Sequence, residues 1–136
     1  MSSTEKPYDL EERTYQFAFH VRELMKRHQW HPVNWSDVQQ LLRSSGSVAA
    51  NCVELNEAIS PGDSLYRVRL CRKEAKESRL WLRLISETSD PPQGGDPGFP
   101  ILIEEAMELV RIFASIARNK ERQTDASNAN PNTENH

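Results

Sequence analysis

The apolar and small residues of this chain are mirrored about one segment, Ser60-Pro61-Gly62-Asp63. Upstream stand Val38, Leu41, Ser45, Val48, Cys52 and Leu55; downstream stand Val68, Cys71, Ala75, Ser78, Leu82 and Ile85. Read outward from the centre, each residue of one series has a partner of the other at the same distance. Two antiparallel helices of equal rise, folded at Pro61-Gly62, bring such partners to one level. The pattern therefore predicts a helical hairpin with matched layers.

Helical periodicity continues on both sides of the hairpin. Leu10, Thr14, Phe17, Val21, Leu24 and His28 recur at steps of four and three, predicting an amphipathic helix from an Asp9 N-cap to about Trp30. Glu11 and Glu12 suit the positive end of its dipole. Asn34 or Ser36 is placed to cap a second helix, from about Trp35 to Ile59, and the third is expected from about Ser64 to Glu87. Residues 89–99 are rich in Pro and Gly and predict a flexible connector. A fourth helix follows from about Pro100 to Arg122, Pro being favoured in a first turn. Its stripe is Leu102, Ala106, Leu109, Phe113 and Ile116, widened by Ile103, Val110 and Ala117. Residues 1–8 and the Asn-, Thr- and Ser-rich stretch 123–136 lack this periodicity and are expected to be a flexible N-terminus and a disordered tail.

The whole chain has 136 residues, enough for one domain with a real core. Four amphipathic helices with short connections imply an all-α, up-down-up-down antiparallel four-helix bundle. The middle of the second helix, Ser44 to Ala50, is unusually small, and Gly46 there loses about 1 kcal/mol of helix propensity relative to Ala. Close approach of a neighbouring helix would compensate; a kink is the other reading.

Few chemistries fit these residues. No apolar run reaches the roughly 20 residues that span a bilayer, and the polar start is unlike a signal peptide, so a cytoplasmic protein without membrane contact is expected. No glutamate of the helices has His three residues on, as a di-iron bundle requires. His28 and His31 at a helix end suit the dipole better than a metal. Phosphate loops and nucleophile elbows are absent, so neither catalysis, nor a cofactor, nor a small-molecule substrate is expected. Cys52 and Cys71 face one another across the hairpin and read as small buried hydrophobes, with a disulfide or redox switch as the alternative.

The third helix carries more than one core face. Its mirrored residues fill one arc, whereas Leu70, Trp81 and Leu84 lie on another, and Tyr15 and Phe19 sit off the stripe of the first helix. Second apolar surfaces on bundle helices mark subunit contacts, so a homo-oligomer is expected through Tyr15, Phe19, Leu70, Trp81 and Leu84. Between Tyr66 and Arg83 stand seven bases and two acids, in a chain whose net charge is −3. All of those bases but Arg67 (Arg69, Arg72, Lys73, Lys76, Arg79 and Arg83) fall within a sector of roughly 120°. Such a stripe can follow a phosphate backbone. The other reading is a solvated face, with local pairs or with arginines reaching Asn51 and Glu54 across the hairpin.

Two segments carry a family resemblance. Leu41-Leu42-Arg43-Ser44-Ser45-Gly46-Ser47-Val48-Ala49-Ala50-Asn51-Cys52-Val53-Glu54 resembles the second-helix signature of the bacterial four-helix bundle proteins, also called 23S ribosomal RNA intervening-sequence proteins. Residues 69–83 look like one branch of that family, and the resemblance spans roughly Tyr8 to Arg118. Glu54-Leu55-Asn56-Glu57 stands where the commoner ending of that helix is Ala-Glu-Gly. The resemblance implies an up-down bundle assembling as a barrel-like homopentamer. It also implies kinship with the accessory variability proteins of diversity-generating retroelements, whose basic surface binds nucleic acid and a reverse transcriptase.

The expected function is therefore a non-enzymatic oligomeric bundle that binds RNA or DNA through Arg69, Arg72, Lys73, Lys76, Arg79 and Arg83. The alternative is a protein–protein scaffold whose stripe is consumed by carboxylates such as Glu54, Glu74 or Glu77. A redox sensor built on Cys52 and Cys71 ranks last.

Overall fold

The computed structural model describes residues 9–129. Among them are four helices and no strand: α1 (Asp9–Lys26), α2 (Pro32–Asn56), α3 (Pro61–Thr88) and α4 (Gly98–Ala129). Packing runs α1 on α2, α2 on α3 and α3 on α4, with a sparser α1–α4 seam closing the ring. Up-down connectivity follows from the short links, and it leaves α1 and α3 at opposite corners.

The apolar stripes meet in one core. Phe17, Val21 and Leu24 of α1, Leu41, Val48 and Cys52 of α2, and Val68, Cys71, Ala75, Leu82 and Ile85 of α3 are all buried. The α4 side supplies Phe99, Leu102, Ala106, Leu109, Phe113 and Ala117. Ala117 rather than Ile116 continues that stripe fully buried, with Ile116, Ile103 and Val110 packed at its edge. Every mirrored residue of the hairpin is buried except Val38 and Leu55, which are partly so. The register is offset slightly from the ideal mirror: the Ser78 hydroxyl lies 2.8 Å from that of Ser44, not Ser45.

Helix ends differ from the periodicity, and local chemistry explains each shift. α1 stops at Lys26, short of Trp30, because Trp30 folds back and its indole N–H donates to Met25 O at 3.0 Å. Asp9 lies within the first turn of α1. α2 begins at Pro32, capped by His31, whose Nδ1 accepts from the Val33 N–H; neither Asn34 nor Ser36 is the cap. Asn34 is instead buried, donating to Thr88 Oγ1 at 2.9 Å. Pro61-Gly62 lies inside the first turn of α3, with Ser60 as N-cap accepting from the Asp63 N–H at 3.1 Å. Proline at N1 loses no hydrogen bond, so the reversal moves to residues 57–60 and α2 ends at Asn56.

α4 runs to Ala129, well past Arg122, so residues 123–129 of the expected disordered tail are helical. Their side chains through Asn128 are exposed, and no Gly or Pro interrupts the helix before Pro131. The rest of that tail and residues 1–8 lie outside the described residues. The connector between α3 and α4, expected to be flexible, is tied down. Asp96 accepts from Arg27 Nε and Nη2 at 3.1 and 3.0 Å and from the Gly98 N–H at 2.8 Å, and it meets His28 Nε2 at 2.6 Å. Gly94 packs on the end of α3, where a Cβ would stand 2.5 Å from Ser86 O.

Gly46 lies within an unbroken α2, and what approaches it is a side chain of the neighbouring helix. The Arg22 guanidinium of α1 lies across it, donating to Leu42 O at 3.0 Å, Ala18 O at 3.0 Å and Ser45 Oγ at 3.3 Å. A Cβ at Gly46 would meet Arg22 Nη2 at 3.1 Å.

Candidate nucleic-acid interface

The outward face of α3 follows from its inward one. Val68, Cys71, Ala75, Ser78 and Leu82 are fixed in the core, which turns Arg69, Arg72, Lys73, Lys76 and Arg83 into solvent and leaves Arg79 half-buried. The two acids interleaved with these bases face elsewhere. Glu74 and Glu77 point toward α2, where Arg43 donates to both, through Nη1 at 3.2 Å and Nη2 at 2.8 Å. Glu74 is buried, so its carboxylate is held by a single guanidinium from the neighbouring helix.

This clamp decides the electrostatics of the face. Arg69 pairs with Glu121 of α4 at 2.7 Å and Arg83 with Glu87 at 3.3 Å, both at the surface where such pairs are weak. Arg67, which lies outside the stripe, donates to Asn51 Oδ1 at 3.2 Å across the hairpin. Among the described residues, no carboxylate pairs with Arg72, Lys73, Lys76 or Arg79. Arg79 Nε is also buried with no hydrogen-bond partner among them. Four cations spread over about 10 Å of helix thus lack a counter-charge among the described residues.

Arg43 was not singled out from the sequence, although the mirrored register places it level with Leu80, one turn from Glu77. The apolar residues assigned to subunit contacts fall into two separate patches. Tyr15 and Phe19 are 54% and 43% exposed on α1, their rings 6.2 Å apart. Leu84 is exposed on α3, whereas Leu70 is half-buried and Trp81 packs against the core edge, its indole N–H without a partner.

Cys52 and Cys71 are free, fully buried thiols. Burial pushes the Cys52 thiol up and the Cys71 thiol up to about 12, the opposite of what a reactive thiolate needs. A cavity of about 270 Å³ opens at the end of the bundle, between Trp30, His31, Asn34, Thr88 and Asp90, without a nucleophile and base in hydrogen-bond reach. No three His, Cys, Asp or Glu side chains among the described residues are grouped to hold a metal. None of the described helices is long and apolar enough to cross a membrane.

No family model matches this chain, and no curated protein does. Among solved structures, it is similar to a protein of unknown function from the S23 ribosomal protein family of Bacteroides thetaiotaomicron. The TM-score is 0.63 at 24% identity, over 79% of this chain and 96% of that one. The two chains share the four-helix fold, and that neighbour comes from the family which the second and third helices resemble in sequence.

Proposed function

We propose that this protein is a non-catalytic subunit of the S23, or 23S ribosomal RNA intervening-sequence, type that binds nucleic acid, RNA foremost, through the outer face of α3. One observation carries the reading: Arg43 occupies Glu74 and Glu77, the two acids interleaved with these bases, so Arg72, Lys73, Lys76 and Arg79 keep their charge without a carboxylate partner among the described residues. A solvated face in a chain of net charge −3 would more simply pair its bases with its own acids. Unpaired guanidinium and ammonium groups along one helix suit phosphate oxygens, giving binding with little sequence preference and strong salt dependence.

The exposed Tyr15, Phe19 and Leu84 favour self-association, which in this reading is a barrel-like homopentamer that multiplies the cationic faces in one cytoplasmic assembly. The scaffold alternative needs those faces consumed between subunits.

The test is an electrophoretic shift of an RNA stem-loop at increasing salt, with the wild type and a variant carrying Arg72→Glu, Lys76→Glu and Arg79→Glu. Wild-type binding should weaken steeply between about 50 and 200 mM salt, and the variant should bind far less at the low end. Absence of binding at low salt, or a variant that binds like the wild type, refutes the proposal.

A further inference from the structure

We infer that the cationic surface spans two helices, with Arg118 of α4 as its second edge, and that it is built for double-stranded rather than single-stranded nucleic acid. The inference rests on the proposed phosphate-binding role of α3 and adds its substrate class.

The register between α3 and α4 is fixed at two places. Arg69 pairs with Glu121 at 2.7 Å, and Pro61 shares a small cavity with Lys120, Gln123, Thr124 and Ser127. Both contacts describe antiparallel helices, with the long Arg69 and Glu121 side chains meeting about one turn away from the alignment that Pro61 gives. One turn toward the middle from Arg69 stands Arg72; one turn toward the middle from Glu121 stands Arg118. The two arginines therefore stand one turn along from the Arg69–Glu121 pair, each on the side of its helix near that pair. Both are exposed, and neither has a carboxylate partner among the described residues.

Further along α4 the side chains are of another kind. Ala114 and Ser115 are short, and Arg111 is engaged by Glu104 at 3.7 Å and Glu108 at 2.7 Å. Arg118 is consequently the exposed cation of this stretch of α4 that has no carboxylate partner among the described residues, with short side chains next to it. Packed helices have axes about 8–10 Å apart, and an RNA duplex lines its wide, shallow minor groove with a phosphate row on each side. A single strand offers one row of phosphates and can be followed by α3 alone. Duplex offers two rows across a groove, one for Arg72, Lys76 and Arg79 and one for Arg118.

The experiment measures binding of an RNA duplex, and of one of its strands alone, as a function of salt for the wild type, Lys76→Ala and Arg118→Ala. Both positions are exposed, so folding should be unaffected, which circular dichroism checks. Loss of one phosphate contact lowers the salt slope by about one. Lys76→Ala should do this with both probes, Arg118→Ala with the duplex alone, and the wild type should bind duplex more tightly. If Arg118→Ala leaves the duplex slope unchanged while Lys76→Ala lowers it, the surface is confined to α3 and this inference fails while the parent reading stands. A fall with both probes on Arg118→Ala overturns the duplex preference. If neither variant moves either slope, the parent reading fails as well.

Discussion

The α2–α3 seam and the α1–α4 seam join helices of similar amphipathic pattern, yet they close very differently. Across α2–α3 the layer residues are small: Ser44, Ser45, Ala75 and Ser78 are fully buried, and the Cys71 thiol sits 3.9 Å from Val48 O. Small side chains let the helices approach until hydroxyls meet, and the rim is finished by Arg43, Arg67 and Asn34. Across α1–α4 the floor is Phe17, Leu24 and Leu102, and two cavities of about 220 and 350 Å³ lie along it. Ile101 there is 66% exposed, and ion pairs hold the margin: Arg13 grips Glu105 at 2.7 and 2.9 Å, and Arg27 grips Asp96. One seam is sealed by packing, the other pinned by charge. The first carries a cationic outer face because Glu74 and Glu77 are taken up by Arg43 at the seam.

The largest expected effect tests the sealed seam. Leu82→Ala removes a fully buried side chain and should lower unfolding free energy by about 3 kcal/mol, read by urea denaturation. Ile101→Ala, on the open seam, should change it by less than about 0.5 kcal/mol. Equal losses would break the comparison. A loss at Ile101 that grows with protein concentration would sharpen it, because a second copy would then be covering the open seam.

The charged margin should respond next, and with pH. The Arg27 guanidinium, the Gly98 N–H and His28 hold the Asp96 carboxyl well below the usual carboxylate range. A depressed carboxyl contributes stability that is complete above its unfolded value, near 3.9, and is lost as pH falls toward the folded one. Asp96→Asn should therefore be less stable than the wild type by about 1 kcal/mol from about pH 7 down to pH 5. The gap should close below about pH 4, with thermal unfolding across a pH series as the measurement. A gap that is absent at neutral pH would mean that the connector is not held by this carboxylate.

How far these seams were legible in the sequence depended on separation along the chain. The hairpin was readable because helical period and mirror spacing act together over adjacent helices, and the structure moves the register by a single residue at Ser44–Ser78. The helix ends were less so, because His31 and Ser60-Pro61 cap through side-chain geometry that periodicity does not encode. Asp96 was hidden: its partners Arg27 and His28 stand in a different helix end, and nothing in a Pro- and Gly-rich segment says which carboxylate will be drawn inward. Arg43 lay within reach of the mirror argument, since its level on α2 falls one turn from Glu77. Arg118 did not, because the irregular connector conceals the α3–α4 alignment until the Arg69–Glu121 pair is seen. The cationic stripe itself was visible as a sector on a wheel; which of its charges stay unpaired required the folded chain.

The smallest effect concerns the one glycine inside α2. Gly46 is where α1 touches the sealed hairpin, and two terms oppose each other there. Alanine would gain about 1 kcal/mol of helix propensity. It would also place a Cβ 3.1 Å from Arg22 Nη2, forcing the guanidinium outward by a few tenths of an ångström. The guanidinium is the far end of a flexible side chain at a half-exposed site, and its bonds to Ala18 O and Leu42 O can stretch before they break. Gly46→Ala should therefore stabilise the protein by about 0.5 kcal/mol, and by nearer 1 kcal/mol in an Arg22→Ala background where nothing has to move. Denaturation midpoints of the two singles and the double measure that coupling. Destabilisation by Gly46→Ala alone would show that Arg22 is locked in place, making the α1–α2 seam as tightly sealed as α2–α3.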